Sequence, residues 1–221
     1  MNLFLYDIDG TLIKTNEDGK KAFEKAFKDM YGDNINFDVN FVGGVDKSVF
    51  FNLVRINNIS FDLDSWEKFK DIYVKNLAQL SKKNFNNWEL LSGSMDILKY
   101  TAKMGTNYLL TGNIKSGAKI KLEVFDLMKF FKIGGYGDNY IIRNDIAKDL
   151  YNRLVKKYKD KIDNTYVIGD SVKDIKCAKE INAKSLIVLT GWESEEQIKL
   201  SKPDFIGSNL IEIRNYLKNN L

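Results

Sequence analysis

Two aspartates, Asp7 and Asp9, close the apolar run LFLY, and Gly10 and Thr11 follow at once. Asp is a common turn residue whose carboxylate bonds nearby backbone N–H groups, so one acid after a strand needs no further reason. Two, with a glycine beside them, ask for more. A second acidic turn, Gly169-Asp170-Ser171, closes the run TYVI, with Asp174 one helical turn further on, and a third run, NYLL, ends in Thr111-Gly112-Asn113. Each has a structural reading. Ser171 with Asp174 fits the S-x-x-[DE] capping pattern, Asn113 is an ordinary helix N-cap, and Gly112 and Gly169 are turn glycines. Capping does not require Asp7, Asp9 and Asp170 to gather where they repel one another; close like charges are tolerated when a cation sits among them.

Composition narrows the chemistry. The chain has 221 residues and no histidine, so Ser-His-Asp and Cys-His nucleophile pairs and His-ligated zinc are excluded. Carboxylates, lysines or hydroxyls must handle protons, and a metal should be a hard ion held by oxygen, such as Mg²⁺. The one cysteine, Cys177, forbids an internal disulfide and reads as a buried helix position. Lys+Arg 34 against Asp+Glu 30 leaves a charge of +4. The basic run KKYKDKID carries its own acids, so it reads as a solvated helix end and not as a nucleic-acid surface. MNLFLY is too short for a signal peptide, and no apolar run approaches the ~18 residues of a membrane span. A cytoplasmic protein with no membrane partner is the expectation; oligomeric state has no signal.

The elements that must position these residues follow from periodicity. Apolar runs at 107–111, 132–137, 165–169, 185–191 and 204–207 alternate with helical stretches such as IKSGAKIKLEVFDLM and NDIAKDLYNRLVKKY. The alternation predicts an α/β fold with a parallel sheet covered on both faces, LFLYD being its first strand. Ligands of such sheets bind beyond the carboxyl ends of the strands, so the three strand ends converge on one edge. Residues 14–93 instead predict three or four amphipathic helices and no strand, with Phe23, Phe27, Phe50, Phe51 and Trp66 at helical spacing as their core. The expected division is a core of 1–13 and 94–221 with an all-helical insertion at 14–93.

DxDGT at Asp7 to Thr11, a strand ending in Thr111, and GDSxxD at Gly169 to Asp174, in that order and at these separations, resemble the haloacid dehalogenase superfamily of phosphohydrolases. The resemblance covers nearly the whole chain, and the insertion resembles the cap of the subgroup containing phosphoglycolate phosphatase and beta-phosphoglucomutase. It implies a Rossmann-like core, an inserted helical cap domain, and a Mg²⁺-dependent phosphatase acting on a small phosphorylated metabolite. Asp7 would attack phosphorus to form an aspartyl-phosphate. Asp9 would protonate the leaving alcohol and then take a proton from water. Mg²⁺ would be held by the Asp7 carboxylate, the Asp9 backbone carbonyl and Asp170, with Asp174 nearby or reaching it through water. Thr111 and the Gly112 N–H would bind phosphate oxygens at a helix start. Dehalogenase members lack an acid two residues after the nucleophile, so Asp9 implies phosphoryl transfer.

The chain departs from the family in two places. The usual Gly-Lys-Pro lysine is missing; Arg143 stands at about the right place, and Lys148 is its competitor. In the segment FVGGVDKSVFF, which resembles the loop that such caps lower over the substrate, Val45 stands where the subgroup often has an arginine. A phosphomutase, returning the phosphoryl group to a sugar, uses the same residues, and a non-catalytic phosphate-ligand-binding protein is the reading from another class.

Overall fold

A computed structural model of the chain describes residues 1–60 and 62–221. Asn2–Tyr6 (β1) sends Phe4 and Tyr6 into one hydrophobic cluster and Leu3 and Leu5 into another. Gly105–Leu110 (β4) and Asn164–Gly169 (β6) flank it and divide their side chains in the same way: Leu109, Tyr166 and Ile168 go to the first cluster, and Tyr108, Leu110 and Val167 to the second. Alternate residues facing two buried layers is what a parallel strand covered on both faces requires. The six-stranded sheet has the order β5-β4-β1-β6-β7-β8, with Gly134–Gly135 as β5, Lys184–Val188 as β7 and Phe205–Gly207 as β8. Every pairing in it is parallel.

Six helices accompany this sheet: Ser94–Met104 (α4), Lys115–Glu123 (α5), Arg143–Tyr158 (α6), Val172–Glu180 (α7), Glu195–Leu200 (α8) and Leu210–Asn220 (α9). The fold is α/β with a Rossmann-like core. Because β4 and β6 lie on opposite sides of β1, the connections leave the carboxyl ends in opposite directions there, which opens a crevice beyond β1.

Between β1 and α4 the chain builds Asp18–Tyr31 (α1), Asp46–Ile56 (α2) and Leu63–Lys83 (α3), whose inward faces form an aromatic cluster. Phe69 lies with its ring centroid 4.5 Å from that of Phe23 and 4.9 Å from that of Phe50, and its ring stacks on Tyr73 and Trp66. Such aromatic contacts each add roughly 0.5–1.5 kcal/mol beyond burial. The cluster reaches Ile114 at the start of α5, so the insertion rests on the sheet's helices.

Two details differ from the sequence expectation. The segment 14–93 is not wholly helical at its ends: Ile13–Lys14 (β2) and Glu89–Leu90 (β3) pair antiparallel as a ribbon through which the chain leaves and re-enters the core. Two-residue strands are too short for alternation to reveal. The run 132–137 contributes only Gly134–Gly135 to the sheet. Cys177 is buried on α7, where burial pushes its thiol up to about 12. No helix among the described residues is long and apolar enough to cross a membrane.

Candidate active site

The carboxyl ends of β1 and β6 deliver Asp7 and Asp170, both 5% exposed, and the first turn of α7 brings in Asp174 at 0%. Carboxylate oxygens of the three lie within 4.8 Å of one another. The turn after β1 is shaped for this proximity. Gly10 has φ +80°, and a Cβ on it would sit 2.5 Å from Asp170 Oδ2, so a side chain is excluded on both counts. The next residue, Thr11, is fully buried and donates its hydroxyl to Asp170 Oδ1 at 2.8 Å. The Ser171–Asp174 capping box is present, and in it Asp174 Oδ2 accepts from the Ser171 hydroxyl at 2.6 Å and from the Ser171 N–H at 3.1 Å.

Such crowding shows in proton affinities. Burial, resisted by Arg143 and reinforced by Asp174 and Asp9, pushes the Asp7 carboxyl up to about 6. Burial, then Asp7 and Asp174, holds Asp170 well above the usual carboxylate range despite the Thr11 hydrogen bond. Positive charge is what this cluster needs in order to ionise.

Arg143, the first residue of α6, supplies part of it. Its Nη2 lies 2.9 Å from Asp7 Oδ1 and 2.6 Å from Asp174 Oδ1, and the side chain is 5% exposed. Burial works against the guanidinium charge, but Asp174 and Asp7 outweigh it and hold the group protonated. Lys148 sits elsewhere. It pairs at 2.9 Å with Glu180 on the surface, 51% exposed. The geometry therefore separates the two basic candidates.

Thr111 and Gly112 follow β4 as expected, but Asn113 does not cap the next helix. The cap position is Ile114, and the helix-start N–H groups of Ile114 and Lys115 are taken by the remote carboxylates of Asp46 and Asp138 at 2.8 Å each. Asn113 turns instead into the site, donating to Asp9 Oδ2 and to Thr111 Oγ1, each at 2.8 Å. Asp9 also accepts from Lys121 Nζ at 2.6 Å, a residue that sequence reasoning passed over. The available signal was its place on α5: Lys121 shares a face with the buried Gly117, Ala118 and Leu122, where an amphipathic helix has no use for a charge.

The insertion reaches this edge through the loop before α2. Asp46 N–H donates to Gly112 O at 2.9 Å, Arg143 Nη1 to Gly43 O at 3.3 Å, and Lys173 Nζ to Val42 O at 2.8 Å. The approach is so close that a Cβ on Gly112 would lie 1.9 Å from Gly44 O. A cavity of about 350 Å³ remains between the two units. Asp7, Asp9, Thr111, Arg143 and Asp170 line its sheet side, and Phe23, Phe41, Asp46 and Tyr73 its insertion side. Asp174 lies behind Arg143, out of the cavity wall.

The donor set suits a hard divalent cation: Asp7 and Asp170 face the cavity with oxygen ligands only, and their proton affinities are those of acids short of positive charge. Asp174 is near enough to join them, but its two oxygens already receive Arg143 and the Ser171 cap.

The arrangement has relatives. A phosphoglycolate phosphatase from Vibrio parahaemolyticus is 27% identical over 225 residues, covering 96% of this chain and 94% of its own length. Another, from Aquifex aeolicus, is 22% identical over 100% of this chain and 99% of its own. A crystal structure of a hydrolase from Pseudomonas syringae superposes with a TM-score of 0.74 at 20% identity, covering 99% of each chain, a likeness of fold. The model of the haloacid dehalogenase-like hydrolase family matches residues 4–188, from β1 through β7, and so takes in every acid of the strand-end cluster. By that match the chain belongs to the haloacid dehalogenase-like hydrolase family.

Proposed function

We propose that this hydrolase is a Mg²⁺-dependent phosphatase that transfers the phosphoryl group of a small phosphomonoester to Asp7 and then to water. The observation that carries the reading is the Asp7 carboxylate at the floor of the cavity, with Arg143 at 2.9 Å, Asp170 alongside, and Asp9 two residues on in a separate hydrogen-bonded setting. Acids with different surroundings are suited to different roles.

The Thr111 hydroxyl, the Gly112 N–H and the Arg143 guanidinium bind the phosphate oxygens. Asp7 attacks phosphorus, and the bond to the leaving oxygen breaks as Asp9 gives that oxygen its proton. Asp9 then takes a proton from water as the water oxygen bonds phosphorus and the Asp7–phosphorus bond breaks. Asp7 and Asp170, with the Asp9 carbonyl, would hold Mg²⁺, which would screen the nucleophile from the phosphate charge. Asp174 orients Arg143. The helical insertion acts as the cap, excluding bulk water while the phosphoenzyme forms. Relatives named phosphoglycolate phosphatase make a small acidic phosphomonoester the first substrate to try.

The test is hydrolysis of 4-nitrophenyl phosphate and of a panel of small phosphorylated metabolites, with Mg²⁺ and with chelator. Expected are chelator-sensitive turnover, one inorganic phosphate per substrate consumed, and loss of turnover in Asp7→Asn. Sugar-phosphate isomerisation without phosphate release would make the enzyme a mutase. Full activity in Asp7→Asn would defeat both.

A further inference from the structure

We propose that Lys121 is a positioning residue for proton transfer: with Asn113 it clamps one carboxylate oxygen of Asp9 so that the other is presented to the leaving group. The inference rests on the phosphatase reading above. Lys121 Nζ lies 2.6 Å from Asp9 Oδ2 and 2.6 Å from Asn113 Oδ1, and Asn113 Nδ2 lies 2.8 Å from the same Oδ2. The three side chains thus close a ring of hydrogen bonds. Asn113 is in turn tied to the Thr111 hydroxyl at 2.8 Å, which links the clamp to the phosphate-binding turn.

Asp9 needs such a clamp. The terminal torsion of an aspartate is broad, so a carboxylate on a turn samples many orientations unless donors hold it. Two donors on one oxygen remove that freedom, and an ammonium, with three donors, serves Asp9 and Asn113 together. Lys121 is not placed there for folding. Only 4% exposed, it occupies a face that leucine or methionine would fill without the cost of burying a charge. Its neighbour Lys119, on the same helix, shows the ordinary alternative, an exposed pair with Glu123 at 3.6 Å.

The insertion approaches Lys121 closely: a Cβ on Gly19, in the first turn of α1, would sit 3.3 Å from Nζ. The lysine gains or loses no proton in the reaction. Asp9 alone passes one to the leaving oxygen and regains one from water.

A residue that acts through the general acid matters most when the leaving group needs its proton. Phenyl phosphate and 4-nitrophenyl phosphate have similar size, but the nitrophenolate departs with little protonation. Lys121→Met keeps the apolar stem and removes the donors. We expect its kcat/KM, which reports formation of the phosphoenzyme, to fall about 30-fold on phenyl phosphate and about 3-fold on 4-nitrophenyl phosphate. Asn113→Ala gives the same split at smaller size, and the double variant loses less than the product of the singles because both act on one oxygen. If Lys121→Met does not fold by circular dichroism, Lys121→Gln and Asn113→Ala carry the comparison. Equal losses of kcat/KM on the two esters, or wild-type values on both, overturn the inference alone. Absence of Mg²⁺-supported turnover in the wild type overturns the phosphatase reading, and the inference with it.

Discussion

The two walls of the cavity are built by different physics. On the sheet side, polar groups stand at strand ends and at the starts of α6 and α7, and charge is balanced within the wall: Arg143 lies between Asp7 and Asp174, and Thr11 holds Asp170. On the insertion side Phe23, Phe41 and Tyr73 stand among polar and small residues; the loop meets the core through its backbone, from Val42 O, Gly43 O and the Asp46 N–H, and through the Asp46 carboxylate on the Ile114 N–H. The sheet wall therefore fixes its charged groups through direct contacts of 2.6 to 2.9 Å. The insertion wall fixes only how closely it lies against the core. Damage to the first should cost both stability and turnover; damage to the second should cost turnover through misplacement.

The strongest way to break that contrast is to remove Arg143. Arg143→Met leaves Asp7 and Asp174 facing each other, buried, with the positive charge gone. Deleting one member of a buried pair costs about 3–5 kcal/mol, read as a lower urea midpoint. Added Mg²⁺ should recover part of the loss, since it replaces charge in the same cluster. A variant as stable as wild type without Mg²⁺ would mean that the sheet wall does not depend on internal neutralisation.

Next in size is the contact between the walls. Gly112→Ala places a methyl 1.9 Å from Gly44 O, so the loop must lift by more than an ångström. Misplacement on that scale costs about 100-fold in kcat/KM. The sheet cluster itself is untouched, so a chelator should still abolish the remaining turnover. Unchanged kcat/KM would show that the loop's close approach has no part in catalysis.

The same contrast explains what was legible in the sequence. Asp7, Asp170 and Thr111 were readable because a parallel sheet brings strand ends together wherever the strands lie in the chain. The helices α1 to α3 were readable from periodicity. Lys121 and Asp46 were not, because each is one position within a helical pattern, and their roles depend on partners 112 and 68 residues away. Asn113 was misread as a cap for the same reason: Asp46, from the insertion, satisfies the N–H group that a local cap would have served. The ribbon β2–β3 escaped notice because each strand is two residues long.

Asp46 offers a subtler test of the insertion wall. Burial, opposed by Lys121 and by the Ile114 N–H, pushes its carboxyl from the ordinary 3.8 up to about 6. A raised folded-state value means that the folded protein holds the proton more tightly than the unfolded chain. The contribution is thus fully present below pH 3.8 and lost as pH rises through about 6. Asp46→Asn keeps an acceptor for Ile114 and removes the titration. Its Tm, measured against wild type, should gain by roughly 2–4 °C between pH 4 and 7. A constant difference across that range would remove burial as the cause.

The smallest effect is expected at Lys148, which shares α6 with Arg143 but faces away from the site. Arg143 begins the helix at the strand ends; Lys148, five residues later, points to the outer surface, where Glu180 and then Asp145 raise its proton affinity. An exposed pair of this kind is screened by water and salt and contributes little. Lys148→Ala should leave Tm within about 1 °C and kcat within about 1.5-fold of wild type. If instead it lost activity while Arg143→Met kept it, the basic group serving phosphate would be the one on the surface. The balance of charge on the sheet wall would then have to be drawn without the guanidinium that now lies between Asp7 and Asp174.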